Sequence, residues 1–504
     1  MLYLDGYSLT LADLERVADG DDDMSLSASC RGRMEKSRRI VDEVIASGQT
    51  VYGINTGFGK LSDVRIPAND LQRLQKNLIM SHACGVGAPL PAREVRALML
   101  LKVNALATGY SGCRPELADF LLEMLRREVL PVIPEKGSVG ASGDLAPLSH
   151  MALPMLGLGE VDYRGQRMPA AAALREAGLS PLELQAKEGI ALINGTQFMT
   201  AVAALAFLEA ERLATTADIV GGMSAEAMLC TDVAFDARIQ EARGHAGQKR
   251  SASALRQMMA NSEIRESHRH CARVQDAYCF RCMPQVHGAV RDHLEHLQHI
   301  FSIELNACTD NPLVFADDGE ILSGGNFHGH PIATSADMLA MLVTQIANIS
   351  ERRIAFMMDP ALSELPAFLV KSSGLNSGFM IPQVVAASLV SENKVLSHPA
   401  SVDSIPTSAN KEDYVSMGAA AAVKARNAVH NAATVLGIEL LCACQSLEMR
   451  QPLKPGPNSA AVLAYVRQHV PKLDEDRLMI DDLKAAQRMV RRGEVGRAAG
   501  KAGG

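Results

Sequence analysis

The sequence predicts a mostly α-helical protein built on a bundle of long helices, and three observations lead there. Aromatic residues make up only 4% of the chain and Trp is absent, while Ala, Leu and Met (24 of them) are abundant; these three rank high in helix propensity. Apolar residues recur at helical spacing over long stretches, and strand signals are short and few.

Taken in order, the chain opens with MLYLDGYSLTLADLERVADGDDD, which turns acidic early and lacks the charged-then-apolar layout of a signal peptide. A short strand signal lies around Val161 to Met168. The segment 198–214 is apolar nearly all round, as in a helix buried on most sides. Val286, Val290, Leu294, Leu297, Phe301 and Leu305 step by three or four and form one stripe. A second strand signal lies around Leu313 to Leu322, and Leu339, Leu342, Ile346 and Ile349 begin another helical stripe. The last stretch, RRGEVGRAAGKAGG, reads as a frayed tail.

With 504 residues the chain is long enough for roughly three domains. The expected division is an N-terminal lobe with Gly-rich loops (1–110), a central helical domain (111–450) and a C-terminal helical region (451–504), with no repeat or long linker between them. A net charge of −7 offers no basic patch for nucleic acid. No uninterrupted apolar run approaches the ~18 residues of a membrane span. Ten cysteines are too sparse for a disulfide scaffold, so the expected home is a reducing cytoplasm.

Functional clues sit in Gly-rich breaks between helices: VYGINTGFGK (51–60), KGSVGASGDLAPLSH (136–150), LINGTQ (192–197) and GGNFHGH (324–330). Loops held by rigid elements are where binding and catalytic groups concentrate. In GASGD, Gly143 follows Ser142, so its amide nitrogen can attack the Ala141 carbonyl carbon if the backbone bends tightly. Loss of two waters then leaves a methylidene-imidazolone, an electrophile that no standard side chain supplies. Small residues suit such strained backbone. Two other readings stand beside it. The tripeptide can be a plain loop before a helix, with Asp144 near the helix start. Ser142 can also be an acyl-transfer nucleophile, although Gly140–Asp144 lacks the final Gly of G-x-S-x-G.

The wider context adds VYGINTGFG, SHACGVG, LINGTQ, VQDAYCFRC, TDNPL, GGNFHGH and SVDSIPTSANKEDYVSMG, all in order over residues 50–450. Together these blocks resemble the aromatic amino acid ammonia-lyases, and most closely the histidine branch. The resemblance implies a long-helix bundle of that type, a homotetramer with each site shared between subunits, and cyclisation of Ala141, Ser142 and Gly143. It implies Tyr52 as a loop acid/base and Tyr278 as the base that takes the β-proton. It further implies Arg281 as partner of the substrate carboxylate, Asn194 and Gln275 as hydrogen-bonding neighbours, Phe327 as packing against the prosthetic group, and His82 with Glu412 as the side-chain recognition pair. The implied substrate is a small amino acid, histidine first, with no metal, nucleotide, nucleic acid or membrane involved.

The chemistry behind these roles is reasonable. A β-hydrogen is weakly acidic and ammonia leaves poorly, so an electrophile that captures the amine helps. Tyrosine ionises near 10, so a tyrosine base needs nearby cations or dipoles, and Arg281 lies three residues from Tyr278. Duller readings exist for each residue. Glu412 can stabilise a helix start, and His82 can be a satisfied core histidine. Gln275, Tyr278 and Arg281 can form one solvated face. Tyr52 can anchor its loop and Phe327 can be core. Cys279-Phe-Arg-Cys282, His328-Gly-His330 and Cys442-Ala-Cys444 tempt a metal reading, but no second pair stands at matching spacing. The usual histidine-branch blocks read QDPYSLRC and NQEDHVSMG, and here Ala277, Cys279, Phe280, Lys411 and Tyr414 differ. A tyrosine or phenylalanine lyase, an aminomutase and a catalytically silent helical scaffold therefore remain as alternatives.

Overall fold

Helices dominate the computed structural model, which describes residues 1–21, 23–271 and 273–500. The long ones run Gln197–Ala227, Met283–Glu304, His330–Met358 and Gly418–Met449. Both expected stripes face inward: Val290, Leu294, Leu297, Phe301 and Leu305 are buried, as are Leu339, Leu342 and Ile346. Where strand signals were expected, Glu160–Tyr163 and Gln166–Pro169 form an antiparallel hairpin and Leu313–Phe315 pairs with Glu320–Leu322. Short pairings without an expected counterpart are parallel Leu2–Leu4 with Met24–Leu26, antiparallel Val86–Pro89 with Pro134–Lys136, and Val129–Pro131 alongside Glu160–Tyr163.

One expectation is corrected here. The tail does not fray from 494 onward: Glu494–Gly500 is helical with Val495 and Ala498 buried, because these two small apolar residues lie on one face; 501–504 lies outside the described residues. Two helices, His330–Met358 and Gly418–Met449, are also long and apolar enough to cross a membrane, although polar residues interrupt their apolar runs. Their most apolar windows are 67% and 83% buried within the fold, the pattern of core helices.

The chain forms two compact units, which cut across the three stretches expected along the sequence. The first comprises Met1–Leu205, Gln298–Asp337 and Pro399–Val423. Its helix Ala92–Ala107 is buried from Glu94 onward and packs against Leu11–Ala18 and Pro115–Arg126. The helix Leu11–Ala18 starts with a reciprocal cap, in which the Thr10 hydroxyl and Asp13 each satisfy the other's backbone amide. Three shorter helices, Leu71–His82, Leu145–Ala152 and Glu188–Ile193, pack on one another. One ends at His82, one begins just after Gly143, and one ends at Asn194. This trio positions the loops singled out from the sequence.

The second unit comprises Ala206–Leu297, Met338–His398 and Lys424–Gly504. Two buried carboxylates staple its helices. Glu439 accepts from Arg353 Nε (2.6 Å) and Nη2 (2.8 Å), from Ser224 Oγ (2.8 Å) and from Ser350 Oγ (2.6 Å), with both charged side chains fully buried. Asp218 accepts from His287 Nδ1 (2.8 Å), Ser251 Oγ (2.5 Å) and Arg291 Nη2 (2.7 Å). Buried charges persist when paired and hydrogen-bonded in this way.

Candidate active site

Within the first unit a cavity of about 830 Å³ opens over Ser142. Tyr52, His82, Ser142, Asn194, Phe327 and Glu412 all line it, so six residues from six separated sequence blocks share one cavity. Ala141 borders it as well.

The Ala-Ser-Gly loop is bent by its neighbours. Gly143 has φ +75°, and a Cβ there would sit 2.1 Å from Gly195 O, so only glycine fits. Gly195 N–H donates to Ser142 O (3.3 Å), and Asp144 N–H donates back to Gly195 O (2.8 Å). Asp144 accepts from Ser138 Oγ (3.0 Å) and Met199 N (2.9 Å), locking the loop's exit into the helix that follows. Burial pushes the Asp144 carboxyl up to about 7.

Glu412 faces the loop directly. Ser142 Oγ donates to its Oε1 (3.2 Å), while Thr407 (3.0 Å) and Ser408 (2.9 Å) donate to Oε2. The helix-start reading of Glu412 is therefore corrected: the long helix begins only at Gly418, and Glu412 sits in a bridge with Thr407. His82 ends its helix with Nδ1 on Leu78 O (2.9 Å). A carbonyl only accepts, so the Nδ1 that faces Leu78 O carries a proton. The turn beyond it is held by Gly85 N–H donating to His150 Nε2 (3.1 Å), and burial depresses His150, keeping that acceptor neutral.

Tyr52 is half-buried; burial pushes its phenol up and Glu412 adds to this, against the Gly59 amide and Lys187. Asn194 donates to Asp310 (3.2 Å) and Asn311 O (2.9 Å), while its own Oδ1 is buried without a hydrogen-bond partner. Lys411 and Tyr414 also line the cavity, and the Tyr414 ring stacks on His328 at 6.0 Å between centroids.

Three of the expected residues are not part of this lining. Gln275, Tyr278 and Arg281 belong to the second unit, where Tyr278–Arg281 forms a single helical turn. Gln275 precedes that turn, so the three do not share one helix face. Tyr278 is 71% exposed, and the Arg281 guanidinium lies 4.3 Å from its ring centroid. Phe280 packs edge-on to Phe356, and Arg353 Nη1 donates to Cys279 O (3.4 Å). Cys279 and Cys282 are free thiols, and among the described residues no group of three His, Cys, Asp or Glu side chains is arranged to hold a metal.

Sequence reasoning missed what lies behind the loop. Lys102 and the Lys187–Asp310 pair (2.8 Å) are buried beside Asn194. The available signal was a lone lysine inside the apolar run ALMLLKVNALA.

This fold and cavity define a class. The profile for aromatic amino acid lyases matches residues 9–468, and the chain belongs to that family. It is 53% identical over 494 residues to a histidine ammonia-lyase of Myxococcus xanthus (strain DK1622), covering 98% of this chain and 97% of the relative. Among solved structures it resembles histidine ammonia-lyase from Trypanosoma cruzi (TM-score 0.92, 43% identity, 99% of this chain and 95% of that one). It also resembles tyrosine aminomutase from Streptomyces globisporus (TM-score 0.93, 36% identity, 99% and 98%).

Proposed function

We propose that the chain is a carbon–nitrogen lyase that eliminates ammonia from L-histidine to give trans-urocanate, using a methylidene-imidazolone formed from Ala141, Ser142 and Gly143. The observation that carries this reading is the Glu412 carboxylate set against Ser142 in one cavity with His82. The loop fits the group: Gly143 tolerates no side chain, and small residues flank Ser142. When formed, the group supplies a carbon electrophile that captures the substrate amine and makes ammonia a better leaving group.

The chain's own residues do the rest. Glu412 accepts an imidazole N–H, a task for which a carboxylate is better suited than an amide, and His82 on the same cavity wall is its partner in recognising the side chain. Asn194 hydrogen-bonds near the substrate carboxylate. Tyr52 moves a proton at the amine, and Phe327 packs beside the electrophile. Arg281 clamps the substrate carboxylate through its planar fork, Gln275 bonds nearby and Tyr278 takes the β-proton. In a homotetramer, another copy of the chain supplies these last three to the cavity, which suits the exposure of Tyr278. Ten free thiols suit a cytoplasmic setting.

Intact mass tests the electrophile: two lost waters remove about 36 Da from the chain, and Ser142→Ala abolishes both that loss and turnover. Full activity in Ser142→Ala sinks the mechanism. Lys411 and Tyr414 on the cavity wall favour one second reading, a tyrosine lyase or aminomutase. Turnover of histidine, tyrosine and phenylalanine side by side separates the two. Glu412→Gln should lose histidine turnover preferentially, and equal losses on every substrate count against its recognition role.

A further inference from the structure

Lys102 lies on the helix Ala92–Ala107 with its side chain buried, 2% exposed, and no carboxylate pairs with it directly. Its ammonium donates to two main-chain carbonyls, Asn194 O (2.6 Å) and Ala191 O (3.1 Å). An uncompensated buried cation is costly, and the peptide it touches is the one that touches the reactive loop. The Asn194–Gly195 peptide accepts from Lys102 at its oxygen and, through Gly195 N–H, donates to Ser142 O. A cation at the oxygen end of a peptide polarises its N–H, because hydrogen bonds in series strengthen one another.

Ser142 O matters because of where electrons go. When an amine bonds to the β-carbon of residue 142, the carbon–carbon π pair shifts toward the residue's carbonyl, and negative charge gathers on Ser142 O. When the bond breaks, the pair returns. A donor aimed at that oxygen stabilises the charge that gathers there and so speeds addition to the β-carbon.

We propose that Lys102 is a positioning residue that activates the electrophile, acting through the Asn194–Gly195 peptide on Ser142 O. The inference rests on the electrophile reading above. The competing account makes Lys102 a plain cap for the C-terminal carbonyls of Glu188–Ile193. Such a cap affects stability alone, whereas the proposed relay also changes the electronic state of the prosthetic group.

Two measurements separate them. Lys102→Met and Lys102→Gln remove the charge; matured variants, identified by the mass loss of about 36 Da, are treated with cyanide as a small nucleophile. The rate of cyanide addition should fall about tenfold or more, a fraction of the usual cost of losing an oxyanion donor, and the near-UV band should move to shorter wavelength. A rate within about twofold of the parent in matured variants overturns the proposal, whatever happens to melting temperature. The unmutated protein provides the second measurement, which stands even if neither variant matures. Burial lowers the Lys102 ammonium to about 8 against the opposing pull of Asp310, with Cys308, Cys113 and Lys187 as its other charged or titratable neighbours and Asp144 coupled to it. The near-UV band should therefore move to shorter wavelength as rising pH takes the proton from Lys102, and a band that shifts the other way, or not at all before the protein unfolds at alkaline pH, overturns the proposal. An unmodified mass in the unmutated protein overturns the electrophile reading itself, and this proposal with it.

Discussion

Replacing Glu439 with leucine strands Arg353 in the core of the second unit. The carboxylate receives four hydrogen bonds, two from the guanidinium and one each from Ser224 and Ser350, and neither charged side chain reaches solvent. Breaking a buried pair from one side costs about 3–5 kcal/mol, because the remaining charge is left uncompensated. At about 2–4 °C per kcal/mol for a body of this size, the melting temperature should drop by about 6–20 °C. Arg353→Met alone should cost a similar amount, and the double variant Arg353→Met/Glu439→Leu should recover most of the loss, since an apolar pair of similar volume is often tolerated. Urea unfolding of the four proteins closes the cycle. The function reading adds a second readout. Arg353 also donates to Cys279 O, beside Tyr278, so the double variant should be stable and yet turn over slowly. Single variants that each lose less than about 1 kcal/mol, or a double variant worse than their sum, refute the reasoning.

Two further outcomes are expected. Gly143→Ala should retain the full unmodified mass and show no turnover, because its Cβ would overlap Gly195 O at a positive φ; intact-mass spectrometry reads this, and a loss of about 36 Da in that variant would contradict it. Burial depresses the His287 imidazole in spite of its bond to Asp218, and its Nε2 has no partner to receive a second proton. A depressed folded pKa means the unfolded chain binds that proton first, so stability is complete above about pH 6.5 and falls as pH drops toward the folded value. His287→Gln should flatten that part of the melting-temperature profile, and an unchanged slope counts against the assignment.

What the sequence made legible followed from signal length. Stripes such as Val290 to Leu305 repeat over several turns, so their buried face could be read before the fold was known. Leu2–Leu4 and Met24–Leu26 are three residues each, too short to show alternation, and their pairing depends on the partner strand. The tail was misread because its glycines and charges look like disorder, while only Val495 and Ala498 decide that it packs. The cavity residues were legible through block resemblance, since each belongs to a block with its own motif, four of them in Gly-rich breaks and the others at His82 and Glu412. Lys102 stood out only as a lone lysine in an apolar run, while Glu439 and Arg353 sit in ordinary helical text, and their importance comes from burial, which a local sequence window does not carry.

The hydrogen bond from the Ser142 hydroxyl to Glu412 bears on the protein's order of events. In the linear chain that carboxylate already has three hydroxyl partners. On the proposed chemistry, the water that departs carries the Ser142 hydroxyl with it and leaves one oxygen of Glu412 unclaimed. A newly folded copy would thus be blind to histidine until its own backbone had closed, and acquiring the reactive carbon and acquiring the recognition point would be a single act.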